Sequence, residues 1–201
     1  MTALENGEYE VPPGKLAVIV TYLEMTARAP TRPASLPHGL AFRRVEAPDP
    51  DWYRDIYTRV GALDWLWISR LRMPEADLAR LLANARVEVY TLTSDGLDLA
   101  LLELDFRTPG ACELAFFGVA AELIGSGVGR YLMNEAIARA WSRPISRFHV
   151  HTCTGDSPQA LRFYIRSGFV PVRQSVDIAD DPRATGELPD TAGPRAPIFT
   201  R

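Results

Sequence analysis

The chain is poor in cysteine and histidine, carries no basic excess and has no long apolar run. Cys112 and Cys153 are the only thiols in 201 residues, too few for the disulfide framework of a small secreted scaffold. His38, His149 and His151 lack the paired spacing of a zinc site, so no metal is expected. Twenty-two Lys plus Arg against 25 Asp plus Glu give a net charge of -3, which argues against general phosphate-backbone binding and excludes nucleic acid as an expected partner. The longest clean apolar run, Leu16 to Val20, is far shorter than the roughly 20 residues that span a bilayer. No basic-then-apolar leader precedes it, so the expected location is cytoplasmic, away from membranes. What remains, 47% hydrophobic and 23% charged, is the composition of a soluble globular chain with one sizeable core.

Along the chain, Lys15 to Thr26 reads as a strand from its β-branched Val18, Ile19 and Val20. Paired at a sheet edge within one chain or between two copies, it leaves a homodimer open. Pro30, Pro33 and Pro37 make a stiff connection, and the core resumes at Gly39. Leu40 to Glu46 is a predicted strand and Pro50 to Val60 a helix, with Trp52, Ile56 and Val60 on one face. Pro74, Glu75 and Asp77 open another helix. Val87 to Thr93, Asp98 to Phe106 and Cys112 to Val119 form an antiparallel meander, separated by Ser94-Asp95-Gly96 and Thr108-Pro109-Gly110. Gly127 to Trp141 is helical, and Arg147 to Thr152 is a strand. Ser157 is an expected N-cap before Pro158, and Gly168 a stop before a strand at Phe169 to Arg173. From Asp180 four prolines break any period, predicting an irregular tail over the surface. The expectation is a single α/β domain: an extension over 1–38, a core over 39–175 and a tail over 176–201.

The sharpest motif is Ile124-Gly125-Ser126-Gly127-Val128-Gly129, placed between an apolar strand and an amphipathic helix. Glycines let backbone amides converge on an anion, and the helix N-terminus adds positive potential. A dinucleotide fingerprint needs a glycine where Arg130 stands, and a P-loop needs Gly-Lys-Ser/Thr, which is absent. A Gly-x-Gly-x-Gly methyltransferase loop fits the glycines, but its usual acids are replaced by Leu123 and by His149 and His151. Close packing of a helix on a sheet is a further reading of the same turn.

Phe116-Phe117-Gly118-Val119 through Arg130 resembles the central motif of the GNAT superfamily of N-acetyltransferases: strand, Gln/Arg-x-x-Gly-x-Gly/Ala loop, helix, with Ile124 in the Gln/Arg place. Asp156-Ser157-Pro158-Gln159-Ala160-Leu161-Arg162-Phe163-Tyr164-Ile165-Arg166-Ser167-Gly168-Phe169 is similar to its next motif, with Asp156 where Asn is frequent. The resemblance covers about residues 39 to 175 and implies a GNAT-like mixed, mostly antiparallel central sheet flanked by helices. It implies acetyl-CoA as cosubstrate, held by Phe117, Gly118, Val119, Ile124, Gly125, Ser126, Gly127, Val128, Gly129, Arg130 and Asp156. It also implies an amine-bearing acceptor, either a small molecule or a protein, with Trp65 and Trp67 on the acceptor wall.

Acetyl transfer to an amine of pKa about 10.4 needs a base, a stabilised oxyanion and a protonated leaving thiolate. Glu113 is the candidate base, and Glu103 shares its sheet face if Phe106 lies opposite Cys112. Tyr164 is the candidate acid. Either glutamate also reads as a solvated strand residue, Tyr164 as a packed aromatic, and Trp65 and Trp67 as core. A rival acyl-enzyme scheme uses Cys153 with His151 as its base. A noncatalytic acyl-CoA-binding module and an S-adenosylmethionine-dependent methyltransferase are the alternative functions.

Overall fold

The computed structural model describes residues 4–200. In chain order the elements are β1 (Lys15–Met25), β2 (Ala41–Val45), α1 (Pro50–Tyr57), α2 (Leu63–Trp65), α3 (Ser69–Arg72), α4 (Glu75–Leu82), β3 (Val87–Ser94), β4 (Leu97–Asp98), β5 (Ala100–Asp105), β6 (Ala111–Val119), α5 (Val128–Ala140), β7 (Arg147–Cys153), α6 (Ala160–Arg166) and β8 (Val170–Asp180). They build a mixed, mostly antiparallel eight-stranded sheet of order β2-β3-β5-β6-β7-β1-β8, with β4 paired to β3. The β6–β7 pair is its parallel step. Alternation along the strands sends Leu102, Leu104, Leu114, Phe148 and Val150 to one face, where Leu132, Met133 and Ile137 of α5 cover them. Val87, Val89 and Leu101 go to the other face, beneath Tyr53, Ile56 and Tyr57 of α1 and Leu78, Leu81 and Leu82 of α4.

The meander β3-β5-β6 forms as its turns dictate. Other expectations change. The first strand is not at an edge: β1 lies between β7 and β8, antiparallel to both, and β8 is the edge. Its Leu23 and Met25 are buried in the α5-side core, which an edge strand with one neighbour would not achieve. The last strand runs on to Asp180 because β1 supplies a ladder for its whole length. The tail beyond it is irregular but anchored. Buried Arg183 pairs with buried Asp181 and donates to the carbonyls of Ala192, Gly193 and Ala196, so Leu188 and Ala192 seal the α1-side core. Finally, α6 starts at Ala160 with Gln159 at its N-cap, so Ser157 is not the cap expected from the sequence; its hydroxyl donates to Gln159 Oε1 instead.

After α1, which Asp49 caps and Pro50 opens, the helix widens into a π turn over Thr58–Ala62. A side chain at Gly61 would overlap the Trp67 ring, its Cβ falling 1.9 Å from the nearest ring carbon. The π turn thus brings bare backbone to the indole and sets Trp67 against the sheet.

Candidate active site

The site begins where two neighbouring strands part. β6 and β7 are in register only at Ala111↔Arg147, Cys112↔Phe148 and Glu113↔His149, although β6 continues to Val119 and β7 to Cys153. The Ala120 amide bonds to Leu99 on the β5 side, so the period of two turns the Phe117 and Val119 amides toward the gap. Gly118 serves here by close approach: its added Cβ would sit 3.1 Å from the Val60 carbonyl and 3.2 Å from Trp67. Phe117 stacks on Phe163 with centroids 5.7 Å apart and meets Tyr164 edge-on, forming an apolar side wall.

At the open end lies the glycine loop. Gly125 and Gly127 have φ of 85° and 86°, a left-handed conformation that favours glycine. A Cβ at Gly125, Gly127 or Gly129 would meet open space, and the amides of these three glycines have no protein acceptor among the described residues. Ser126 braces the turn, its hydroxyl donating to the Leu123 carbonyl at 2.7 Å and accepting from the Val128 amide. Ile124 is exposed at the rim, while Val128 is buried beneath the loop. Three open amides at the start of the 13-residue α5 form an anion cradle. Arg130 is drawn away toward α6, donating to Ser167 Oγ and lying 5.1 Å from the Phe163 ring. Burial and the nearby Arg32 and Arg166 push its pKa down, which marks a cationic cluster beside the cradle. No pattern along the chain marks Arg32 or Arg166 for this place; a basic residue between two prolines, for one, carries no helical or strand period to locate it.

At the closed end, Glu113 meets His151 across the two strands, with Oε1 3.4 Å from Nδ1. The hydrogen bond to His151 holds the Glu113 carboxyl below its ordinary range, and that same bond raises the His151 pKa. His149, next along β7, is pushed down by burial. Tyr164 is buried on the opposite side of the gap; burial, and then the negative charge of Asp156, raise its phenol well above the usual value. Its hydroxyl makes no hydrogen bond among the described residues.

The remaining candidates divide. Glu103 shares the sheet face of Glu113, as the Phe106–Cys112 turn predicts, although Ala115 bulges between the pairs Glu103↔Phe116 and Leu104↔Leu114. It is fully buried, accepts from Tyr53 and pairs with Arg70 at 2.7 Å, and so is sealed under α1 and α3. Asp156 holds the β7–α6 turn, accepting from Thr152 Oγ1 at 2.6 Å and the Cys153 amide at 2.9 Å. It also accepts from Trp67 Nε1 at 3.0 Å, so the indole spans from Phe116 on β6 to the far side of the gap. Trp65 lies under Arg195 of the tail, whose guanidinium also donates to the Asp156 carbonyl. Burial lifts the Cys153 thiol to about 11, and His151 engages Glu113 instead of it, so the acyl-enzyme scheme lacks both a thiolate and its base.

The site thus combines a parallel strand pair that opens onto a backbone anion cradle with an acid–imidazole pair at the apex. Residues 84–169 match the model of the Acetyltransferase (GNAT) family, a stretch that contains both motifs whose resemblance to that family the sequence carries. Over 76 residues the chain is 34% identical to mycothiol acetyltransferase of Jonesia denitrificans, a match covering 38% of this chain and 23% of that relative. The chain thus spans about a quarter of the length of the curated relative it matches. Among solved structures, the fold is similar to a GCN5-related N-acetyltransferase from Sphaerobacter thermophilus (TM-score 0.58, 15% identity, 85% of this chain and 53% of that one). It is also similar to a GNAT family acetyltransferase from Elizabethkingia anophelis with acetyl-CoA bound (TM-score 0.52, 16% identity, 68% and 80%). Among the described residues no helix is long and apolar enough to cross a membrane.

Proposed function

We propose that the protein transfers an acetyl group from acetyl-CoA to a primary amine by direct attack. The observation that carries this reading is the β6–β7 gap, which joins the three open glycine amides to the Glu113–His151 pair. In this reading the amides of Gly125, Gly127 and Gly129 receive the pyrophosphate, with Arg32, Arg130 and Arg166 supplying cationic potential beside it. Phe117 and Val119 present amides to the pantetheine arm and to the developing oxyanion. The solvent-facing imidazole of His151 takes the amine proton, while Glu113 orients it and brings its pKa upward, closer to that of the amine. Nitrogen bonds to the thioester carbon, the carbon–sulfur bond breaks, and the leaving thiolate takes a proton from Tyr164. A phenol whose pKa is raised by burial stays protonated until that moment. Asp156 acts in this scheme by holding Trp67 across the gap, not by a side-chain contact to the cofactor.

The test is calorimetric titration with acetyl-CoA beside the Gly127→Glu variant, whose carboxylate would occupy the cradle and repel phosphate. Saturable binding by the wild type, lost in the variant, supports the reading. Absence of binding by folded wild type, or stabilisation by S-adenosylmethionine instead, overturns it. Binding with no turnover of any amine would return the protein to the acyl-CoA-binding class.

A further inference from the structure

Of the fourteen large apolar side chains exposed among the described residues, seven gather at one corner of the molecule, around the outer edge of β8. Val170, Val172, Val176 and Ile178 of that strand are 43–60% exposed. Ile19 of β1 lies opposite Val176, and Ala17 opposite Ile178. Alternation from buried Leu23 puts this group on the α5 side of the sheet, where Ile19 is still 40% exposed because no helix reaches over it. Beside the strip stands α6, whose Phe163 stacks on Phe117 of β6. At about 100° per residue, Leu161 and Ile165 therefore turn the other way, toward β1 and β8, and both are exposed.

The two edges of the sheet are built differently. The β2 edge is five residues long and carries Arg43 and Arg44, each in an ion pair, and short charged edges resist further pairing. The β8 edge is eleven residues long and has no lysine. Its proline, Pro171, and its bulge against β1 are confined to its start, so from Arg173 to Asp180 it runs regularly with no strand on its outer side. Such an edge is a template for another strand.

We infer that the occupant of this edge is a second copy of the chain, the two β8 strands pairing antiparallel about a two-fold axis at Val176. An axis normal to the sheet keeps each face on its own side. Val176 then meets the partner's Val176, Ser175 lies opposite the partner's Asp177, and Gln174 opposite the partner's Ile178, a register that opposes no two like charges. The surface is large enough for a stable dimer. Seven side chains near half exposure present on the order of 400 Å² of apolar area per copy. Interfaces are about 60% apolar, so this corresponds to about 700 Å², close to the roughly 800 Å² per partner of a stable complex. A lone peptide strand would cover the edge and leave Leu161 and Ile165 beside open water. A second copy brings its own α6 to the far side of the same strip, so that two helices flank it.

The experiment measures mass by sedimentation equilibrium across the micromolar range for wild type, Val176→Lys, Ile178→Lys and, as a control at the far end of the sheet, Leu97→Lys. Wild type and the control are expected at twice the 22.3 kDa of the chain, and both β8 variants at 22.3 kDa with an unchanged far-ultraviolet spectrum. A second readout keeps the strand apolar: Val176→Cys in a Cys153→Ala background should oxidise to a covalent dimer, because directly opposed residues of an antiparallel pair stand within disulfide reach. Leu97→Cys in the same background should not, although Leu97 is more exposed than Val176. Monomeric wild type overturns the proposal, even if the edge is then found to take a peptide strand or a lipid surface. So does a dimer that survives both lysine variants, or one that Val176→Cys fails to lock. Neither readout involves acetyl-CoA, so the dimer stands or falls separately from acetyl transfer.

Discussion

Glu103 and Glu113 stand on adjacent strands and point to the same face of one sheet, yet their surroundings give them different work. Glu103 lies under α1 and α3, fully buried, with both oxygens taken by Tyr53 and Arg70. Glu113 lies past the last helix of that layer, its side chain 34% exposed and paired with an imidazole that is itself half exposed. A carboxylate whose two oxygens are held by a buried guanidinium and a buried phenol has neither oxygen turned toward solvent or substrate. One facing a histidine can pass a proton to solvent or substrate. Burial and partner identity, not position on the strand, decide which glutamate is available for chemistry.

The largest expected effect that sharpens this contrast is on Glu103. Replacing it with Gln leaves Arg70 with no carboxylate partner and should cost about 3–5 kcal/mol of stability, read as a lower urea midpoint. An unchanged midpoint would show that the pair does not hold α3 to the sheet. Glu113→Gln should leave the urea midpoint within about 1 kcal/mol and lower kcat by roughly a hundredfold. The pH profile gives the sign. His151 must be neutral to accept a proton, and its pKa is raised, so kcat/KM should rise with pH along a limb centred above 6.5. Removing the carboxylate removes the stabilisation of the imidazolium, so the limb should move to lower pH in Glu113→Gln; a limb that stays put would sink the pairing. Tyr164→Phe should lower kcat about tenfold with little change in acetyl-CoA affinity; a thiol leaving group that needs no acid would show no loss. The smallest expected effect is Cys153→Ala, with activity within about twofold of wild type. A large loss there would restore the acyl-enzyme route.

The same contrast shows what the sequence makes legible. The glycine loop, the meander and the shared face of the two glutamates follow from local rules: turn residues, alternation and glycine where φ is positive. The bulge at Ala115 has no such signal, because an alanine between Leu114 and Phe116 carries no glycine or turn residue to mark it. Burial of Glu103 depends on Arg70, more than 30 residues earlier, and a lone arginine before a short helix announces no partner. Val18, Ile19 and Val20 mark β1 as a strand, but pairing order is a property of the whole sheet, and nothing local says that β1 runs between β7 and β8. The prolines of the tail correctly exclude regular structure there. They are silent on the Asp181–Arg183 pair that pins it over the α1-side core. Trp67 is the clearest mixed case: its aromatic character suggests both a wall and a core residue, and it packs as core while its indole nitrogen reaches Asp156 across the gap.

The central placement of β1 also bears on how the chain assembles. Lys15 of β1 pairs with Asp180 of β8, 165 residues later. At about 5–20 residues per second on the ribosome, the first strand waits roughly ten to thirty seconds for its outer neighbour to be made. Throughout that interval Leu23 and Met25 have no finished core to enter, because both neighbours of β1, β7 and β8, come late in the chain. Such long-range pairing gives slow, late-closing folding, so the β7-β1-β8 half of the sheet should be the last part to gain amide-exchange protection.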